Sequence, residues 1–196
     1  MEIKKKLDAV VYKWDLSKSP FYQAWSMGTL TKEDLQIYAS EYGAFIGLLP
    51  RGWETLGDKE TEEEEGEHYE LWEKFATSID TELDTPKIAS TTKLIETAEK
   101  LFAEPATAIG AMYAFEVQQP VTAQSKLKGL QEKYADFKAD EEYFEEHCHN
   151  EHEAEKLVKL AKRLSESEQE EAIKASEEMS KALWDALDGV YAKHID

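Results

Sequence analysis

The sequence predicts an all-α protein, built as a bundle of about seven helices. Ala, Leu, Glu and Lys dominate the 196 residues, whereas only nine glycines and five prolines occur, which is the composition of helices joined by few turns. No segment shows the apolar–polar alternation of a half-buried strand. The apolar content of 41% is enough for one core, and no repeat or linker is visible, so we expect a single helical domain over residues 1–196.

The first half of the chain begins with a predicted helix from Glu2 to about Leu16, followed by a short element with the sequence FYQAWSMG. A third helix is expected to begin after Thr31, which is a suitable N-cap with acidic residues in the turn that follows it. Apolar and aromatic residues then recur at spacings of three and four, which predicts one face that points into the core. That face carries Leu35, Tyr38, Tyr42, Phe45 and Leu49.

Prolines mark the later helices. Thr85–Pro86 and Glu104–Pro105 are each predicted to open a helix, because proline lacks only a donor that the first helical turn leaves unpaired. Pro120 instead lies well inside a helical pattern, where it cannot donate to the carbonyl of Glu116, so the helix should bend or bulge there. The bundle is completed by a helix from near Asp140 and a last one over residues 168–193.

The charge balance limits the partners. With 42 acidic and 23 basic residues the formal charge is −19, so nucleic acids and anionic membranes should be repelled. No stretch approaches the ~18 consecutive apolar residues that span a bilayer. The apolar run at the N-terminus is broken by Lys and Asp, unlike that of a signal peptide, and a single cysteine cannot form an internal disulfide. We therefore expect a cytoplasmic protein with no nucleic-acid or membrane partner.

The segment YFEEHCHNEHEAEKL, residues 143–157, holds three of the five histidines. As one continuous helix, it places His147 and Glu151 on an apolar face, and His149 and His152 among Glu and Lys on the opposite face. The second pair is best interpreted as solvated surface, with a surface metal patch as the minor alternative. His147 and Glu151 lie one turn apart and are costly to bury without a partner, so they predict either a ligand site or a mutual hydrogen bond.

Two further helices carry polar groups on apolar faces. In EEEEGEHYELWEKFA the stripe through Trp72 extends back to His68 and then to Glu64 or Glu65, although four consecutive glutamates usually form a solvated run. Glu116 shares a face with apolar residues at the predicted bend. Carboxylate and imidazole groups that project from facing helices into a bundle core are typical of iron or manganese sites. The candidate metal ligands are Glu65, His68, Glu116, His147 and Glu151.

Four segments resemble a known family in wording and order: FYQAWSMGTLTKEDLQIYASEY, EEEEGEHYELWEKFA, AMYAFEVQQPVTAQSKLKGLQEKY and YFEEHCHNEHEAE. They are similar to the haem-oxygenase-like helical proteins of the TenA/PqqC superfamily, specifically the branch with the CADD-like proteins and the haem-oxygenase-like di-iron oxidases. The resemblance implies a haem-oxygenase-like bundle that forms a homodimer and uses dioxygen and a small-molecule substrate. It also implies one or two iron ions on the five ligands, with manganese as the alternative metal.

The CADD-like branch is associated with oxygen-dependent formation of p-aminobenzoate for folate, with a tyrosine of the protein as the source of the ring. The resemblance gives catalytic roles to Tyr22, Tyr38 and Lys126, in the segments FYQAW, LQIYASEY and QSKLKGL. By spacing alone these residues would be ordinary core aromatics and a surface lysine. The resemblance therefore implies a non-haem iron oxidoreductase that uses oxygen.

Two departures from the family pattern affect the expected number of metal ions. The family has a final histidine three residues after its Asp or Glu, where this chain has Ala154. The connection before EEEEGEH is short, which leaves the choice of ligand among Glu63, Glu64 and Glu65 open. The remaining groups suffice for one metal ion, with Glu151 as a fifth ligand or as an acceptor for a histidine N–H.

Two other functions fit the same sequence. One is a metal-free enzyme or binder of the TenA or PqqC kind, with its ligand held among Tyr22, Tyr38, Tyr42 and Tyr113. The other is a non-catalytic interaction protein whose polar core is only structural. A haem oxygenase is not expected, because no histidine precedes His68.

Overall fold

The computed structural model describes residues 2–195, and every regular element in that range is helical, which confirms the all-α class. The α-helices there number eleven, more than the sequence pattern separated, partly because the predicted helices near Glu116 and Cys148 are each divided in two. Three short 3-10 segments occur in addition, at residues 12–14, 16–18 and 135–137. The helices are α1 Glu2–Val11, α2 Pro20–Met27, α3 Lys32–Ile46, α4 Leu49–Leu56, α5 Lys59–Ser78, α6 Ala89–Leu101, α7 Pro105–Glu116, α8 Gln119–Glu132, α9 Glu142–His147, α10 His152–Ala161 and α11 Glu166–Ile195.

Helix α7 lies inside the bundle, against α4, α10 and α11, and every residue from Ala108 to Glu116 is buried. The close approach of α7 to α11 requires Gly110, because a Cβ atom there would lie 1.8 Å from the carbonyl oxygen of Ala172. Around this pair, α11 also packs on α6, and α5 packs on α3, α4 and α9. No helix within residues 2–195 combines the length and the apolar content needed to cross a bilayer.

The predicted beginnings of α3 and α7 are confirmed. Thr31 caps α3, and the Asp34 carboxylate accepts from the backbone N–H of Thr31 at 2.6 Å, which completes a capping box. The same carboxylate accepts from Nδ1 of His194, in the last turn of α11, at 2.8 Å. Pro105 occupies the first turn of α7. Local end signals were therefore correct at both helices.

The helix predicted at Thr85–Pro86 begins later, at Ala89. The backbone N–H groups of Lys87 and Ile88 donate to the buried carboxylate of Glu41, at 2.8 and 3.1 Å. These two bonds come from another helix, α3, and hold the segment extended past the proline. The helix can therefore begin only after them.

The predicted interruption near Pro120 is confirmed. Helix α7 ends at Glu116, and Pro120 lies in the first turn of α8. In the gap between them, Oε1 of Gln118 accepts from the backbone N–H of Leu16 at 2.8 Å. That bond uses the Leu16 N–H, which therefore makes no α-helical bond, and α1 ends at Val11, followed by the 3-10 segments at residues 12–14 and 16–18.

The prediction of one continuous helix from near Asp140 is wrong. Helix α9 ends at His147, the chain turns through residues 148–151, and α10 begins at His152. The carbonyl of Cys148 accepts from Nε2 of Gln124 on α8 at 2.9 Å, so the turn is tied to a neighbouring helix. Because of this turn, residues on the two sides of it no longer follow a single helical register.

Candidate metal centre

Five ionisable side chains from four helices meet in the interior of the bundle, and we call them the inner cluster. Glu65 and His68 come from α5, Glu116 from the end of α7, His147 from the end of α9, and Glu153 from the first turn of α10. Their exposed fractions are 0%, 9%, 1%, 1% and 0% in that order. The rings of His68 and His147 have centroids 4.4 Å apart, and Nδ1 of His68 lies 3.5 Å from Oε1 of Glu65.

The three carboxylates of the inner cluster lack hydrogen-bond donors. Both oxygens of Glu65, Glu116 and Glu153 are buried, and none has a hydrogen-bond partner within the described part of the chain. Unpaired carboxylates in a protein interior are strongly destabilising unless a cation or a proton compensates them. Glu65, His68 and Glu153 each bring one ligand atom to within 4.8 Å of the others. The mixture of oxygen and imidazole groups therefore fits a divalent ion of the iron or manganese type.

Two of the buried carboxyl groups, those of Glu116 and Glu153, hold their protons strongly when no cation is near. Burial raises the pKa of Glu116 well above its usual range, and the neighbouring charges of Glu153 and Glu65 raise it further. Burial and the charge of Glu65 also raise the pKa of Glu153. A metal ion would reverse this balance, because it favours the ionised carboxylates.

The two histidines differ in protonation. Burial lowers the pKa of His147 to about 3, so that ring is neutral. Nδ1 of His147 lies 2.6 Å from the carbonyl oxygen of Tyr143. Because a carbonyl can only accept, Nδ1 carries the hydrogen and Nε2 presents its lone pair, as a metal ligand must. At His68, burial disfavours the charged ring, but the adjacent Glu65 outweighs this and raises the pKa.

The sequence placed Glu151 in this cluster, and that placement is wrong. The turn before α10 shifts the register, so that Glu151 is exposed whereas Glu153 is fully buried. Asn150, a residue that favours turns, was the available signal for the break. Within the acidic run of α5, Glu65 is the buried residue and its neighbour Glu64 is only half-buried.

The corrected register also changes the residue at the position of the family's last histidine. Three residues after Glu153 comes Lys156, whereas three after Glu151 came Ala154. The Lys156 ammonium donates to Oγ1 of Thr61 at 2.6 Å and lies 3.3 Å from the carboxylate of Asp58. The same spacing, counted from Glu153, therefore ends on a lysine bound to α5 and not on an imidazole ligand.

A second buried cluster contains the three residues with implied catalytic roles. The hydroxyl oxygens of Tyr22 and Tyr38 are 3.0 Å apart, and Nζ of Lys126 lies 3.4 and 3.3 Å from them. Lys126 is 3% exposed, so it is not the surface lysine that spacing alone suggested. Burial lowers the pKa of Lys126 to about 7 and raises the pKa of both tyrosines. The lysine is therefore the group in this cluster best able to accept a proton at neutral pH.

Aromatic side chains fill the space between the two clusters. The ring of Tyr143 stacks on His147 with centroids 4.1 Å apart. Trp72 contacts Tyr143 at 4.8 Å and Tyr38 at 5.6 Å between ring centroids. Trp72 and Tyr143 are both fully buried, so the path from the inner cluster to the tyrosine pair is closed to water.

Tyr113 lies apart from the other tyrosines. Its hydroxyl donates to the carboxylate of Asp8 on α1, and it lines a cavity of about 510 Å³ that also reaches Glu116 and Lys159. The four tyrosines that the metal-free alternative requires therefore do not surround one common cavity. Tyr22, Tyr38 and Tyr42 pack together with the buried lysine instead.

An acidic pocket of about 630 Å³ opens to solvent beside His68, between α5 and the turn at residues 148–151. His149 and His152 are exposed, as the sequence predicted, and both line this pocket. The inner cluster is thus within reach of solvent on the side of α5. The glutamates that line the acidic pocket are Glu64, Glu67, Glu70 and Glu146.

The helical bundle and its buried carboxylate and imidazole groups define a haem-oxygenase-like protein. Three solved structures share the fold. A TenA homologue from P. horikoshii OT3 has a TM-score of 0.74 and 15% identity, with 97% of this chain and 98% of that chain covered. A protein with a heme oxygenase-like fold from Shewanella denitrificans has a TM-score of 0.77 and 20% identity, with 100% of this chain and 94% of that chain covered. A CADD-like protein from Nostoc punctiforme has a TM-score of 0.68 and 17% identity, with 99% of this chain and 95% of that chain covered.

Sequence comparison shows the family itself. Residues 20–185 match the family described as "Iron-containing redox enzyme", and the chain belongs to that family. The 4-aminobenzoate synthase of Chlamydia muridarum is 30% identical to it, over 96% of this chain and 89% of that protein. The 4-aminobenzoate synthase of Nitrosomonas europaea is 28% identical, over 97% of this chain and 92% of that protein.

Proposed function

We propose that this protein is an iron-dependent, oxygen-using oxidoreductase that forms 4-aminobenzoate. The observation that carries the proposal is the inner cluster, in which three buried carboxylates without donors face two histidine rings. Membership of a family of iron-containing redox enzymes supports the metal, and relatives named 4-aminobenzoate synthase support the product.

One tightly held ion is the metal content that the inner cluster supports best. Bound ferrous iron would supply electrons for the reduction of dioxygen, and manganese is the alternative ion. The inner cluster contains only two histidines, and the residue three positions after Glu153 is Lys156, which donates to Thr61. The proposed ligands are Glu65, His68, Glu116, His147 and Glu153, with Glu153 in place of the exposed Glu151.

The buried tyrosine pair and Lys126 are the proposed site of ring chemistry. Oxidation of a phenol releases its hydroxyl proton, and both hydroxyls lie within hydrogen-bond distance of Lys126 Nζ. Because its pKa is about 7, an appreciable fraction of Lys126 is uncharged at neutral pH and able to accept that proton. Trp72 and Tyr143 exclude water from the space between this lysine and the inner cluster.

The proposal extends to a homodimer in the cytoplasm that acts on a small-molecule substrate with dioxygen. The dimer, the small-molecule substrate and dioxygen come from the family resemblance, and the cytoplasmic location comes from the N-terminal pattern and the single cysteine. Analytical ultracentrifugation tests the dimer, with one species expected at twice the chain mass of 22.4 kDa.

The decisive experiment compares the His147→Ala and His149→Ala variants. Iron content after anaerobic loading, oxygen consumption and release of 4-aminobenzoate, followed by mass spectrometry, are measured for both and for the unchanged protein. We expect His147→Ala to lose iron and product, because it removes a buried ligand, and His149→Ala to retain both, because that ring is exposed. Product formation by fully metal-free protein would contradict the proposal and favour the metal-free alternative.

A further inference from the structure

The acidic pocket beside His68 is the side of the molecule from which a cation can approach the inner cluster. Four glutamates line it, against one lysine among its lining residues, Lys74, and that lysine is already paired with Glu142 at 2.8 Å. Negatively lined clefts raise the local concentration of cations. The cavity next to Glu116 has three glutamates and three lysines in its wall, so its lining carries less negative charge and attracts cations less.

Glu64 and His152, which line the acidic pocket, form a second potential ligand group with the buried Glu153. Each brings one ligand atom to within 4.8 Å of the others, as the inner group of Glu65, His68 and Glu153 also does. Glu153 belongs to both groups. Its carboxylate is fully buried, and neither oxygen has a partner in the part of the chain that the structure describes, which distinguishes the group from an ordinary acidic surface.

Two pairs of adjacent residues contribute to these groups with side chains at different depths. On a helix, successive side chains point about 100° apart, so neighbours can face different depths. Glu64 and Glu65 do this on α5, and His152 and Glu153 do it at the beginning of α10. In each pair one residue is fully buried, whereas Glu64 is half-buried and His152 is exposed. The turn that interrupts the predicted helix at residues 148–151 is what brings His152 to the pocket.

We propose that Glu64, His152 and Glu153 form an outer divalent-metal site through which the ion is loaded into the inner cluster. The ion first binds from the acidic pocket, exchanging water for one imidazole nitrogen and carboxylate oxygens. Glu153 then keeps hold of it while Glu65 and His68 replace Glu64 and His152. No electron transfer is involved. The inference rests on the proposed function only in that it assumes a metal ion in the inner cluster.

Binding stoichiometry gives the first test. Metal-free protein is titrated with Mn²⁺, and the free ion is counted by electron paramagnetic resonance. We expect one tight and one weaker class of site in the unchanged protein. Glu64→Gln and His152→Ala should lose the weaker class and keep the tight one. Glu67→Gln and His149→Ala are matched controls from the wall of the same pocket, and both should retain the two classes.

Loading kinetics give the second test. Co²⁺ is mixed with metal-free protein in a stopped-flow instrument, and its absorption in the inner site is followed. We expect the Glu64→Gln and His152→Ala variants to load about tenfold more slowly, because each loses one of the first ligands of the ion, and the two controls, which keep those ligands, to load at close to the normal rate. Thermal melts of all four metal-free variants show whether each is folded.

The outcomes separate the outer site from the proposed function. If the unchanged protein binds one tight ion and neither outer variant changes binding or loading, the outer site is wrong and the inner one stands. If the control variants lose the weaker class as well, the pocket only attracts cations by its charge, and the outer site is again wrong. If the unchanged protein binds no metal ion, the proposed function fails together with this inference.

Discussion

Burial acts in opposite directions on individual residues of the two buried clusters. It raises the pKa values of Glu116 and Glu153, and it lowers those of Lys126 and His147. In each case the protein interior favours the uncharged form. The acids thereby keep their protons until a metal ion displaces them. The neutral bases each have a free lone pair, which at Lys126 can accept a proton and at His147 can bind a metal ion.

Replacement of Lys126 tests its burial in the folded state. The pKa of Lys126 is lowered from 10.5 to about 7, so between these values the unfolded chain binds more protons than the folded one, and stability rises with pH. Lys126 is therefore most destabilising below neutral pH. We expect Lys126→Met to raise the free energy of unfolding at neutral pH by about 1–4 kcal/mol, with a smaller gain at alkaline pH, and to abolish product formation.

The matched control is Lys128→Met, which changes an exposed lysine on the same helix. Urea denaturation at several pH values gives the free energies, and the control should follow the unchanged protein throughout. Destabilisation by Lys126→Met, with no dependence on pH, would show that the amine is not held in an unfavourable charged state.

Among the secondary-structure elements, the two helix interruptions, after Glu116 and after His147, determine which side chains lie in the inner cluster. The break after Glu116 followed from Pro120, whose missing donor is visible in the sequence. The break after His147 did not, because its short turn leaves an apolar pattern that still fits one helix, and Glu151 was predicted in place of Glu153. Periodicity identifies the buried face of an uninterrupted helix, and it fails when a few residues shift the register.

The contact between α7 and α11 is the most sensitive helix pair next to the centre. Gly110→Ala would place a Cβ atom 1.8 Å from a backbone oxygen that cannot move without displacing α11. We expect a loss of about 1–3 kcal/mol or more in the free energy of unfolding, together with weaker metal binding, because α7 carries Glu116. Gly66→Ala on α5 meets nothing within 4 Å and should stabilise the protein by about 0.5–1 kcal/mol. Equal effects of the two changes would contradict this account.

For the whole molecule, stability should be coupled to metal binding and pH. The folded-state pKa values of Glu116 and Glu153 lie above 4.5, so the metal-free folded protein retains protons that the unfolded chain loses. Its free energy of unfolding should therefore fall as the pH rises from about 4.5 through the raised pKa values. Mn²⁺ at about 100 times its dissociation constant should restore about 2.7 kcal/mol, measured as a rise in melting temperature.

Two variants, one in α10 and one in the turn before it, test which carboxylate couples stability to pH and to metal binding. Glu153→Gln removes one of the unpaired carboxylates, so the metal-free protein should lose less stability with pH and respond less to Mn²⁺. Glu151→Gln changes an exposed carboxylate and should leave both effects intact. A full response to Mn²⁺ in Glu153→Gln would remove this residue from the ligand set.

The sequence was sufficient for the fold and for most of the candidate site. Composition and spacing predicted the all-α class, and helical faces predicted that Glu65, His68, Glu116 and His147 point inward. The structure buries all four, and their role as metal ligands stays a prediction. Lys126 could not be recognised as buried from its spacing, because burial of an amine depends on tyrosines from two distant helices. Contacts between distant segments, such as that of Glu41 with the residues before α6, were likewise invisible to local patterns.

The hydrogen bond between His194 and Asp34 links the end of the last helix, α11, to the beginning of α3. It fastens the final turn of α11 to the N-terminal cap of α3, the helix on which Tyr38 is mounted. We therefore expect a fusion or a cleavage near His194 to disturb the packing of the tyrosine pair. The end of α11 thus supports the helix that carries a residue of the proposed reaction, and engineered variants should leave it unchanged.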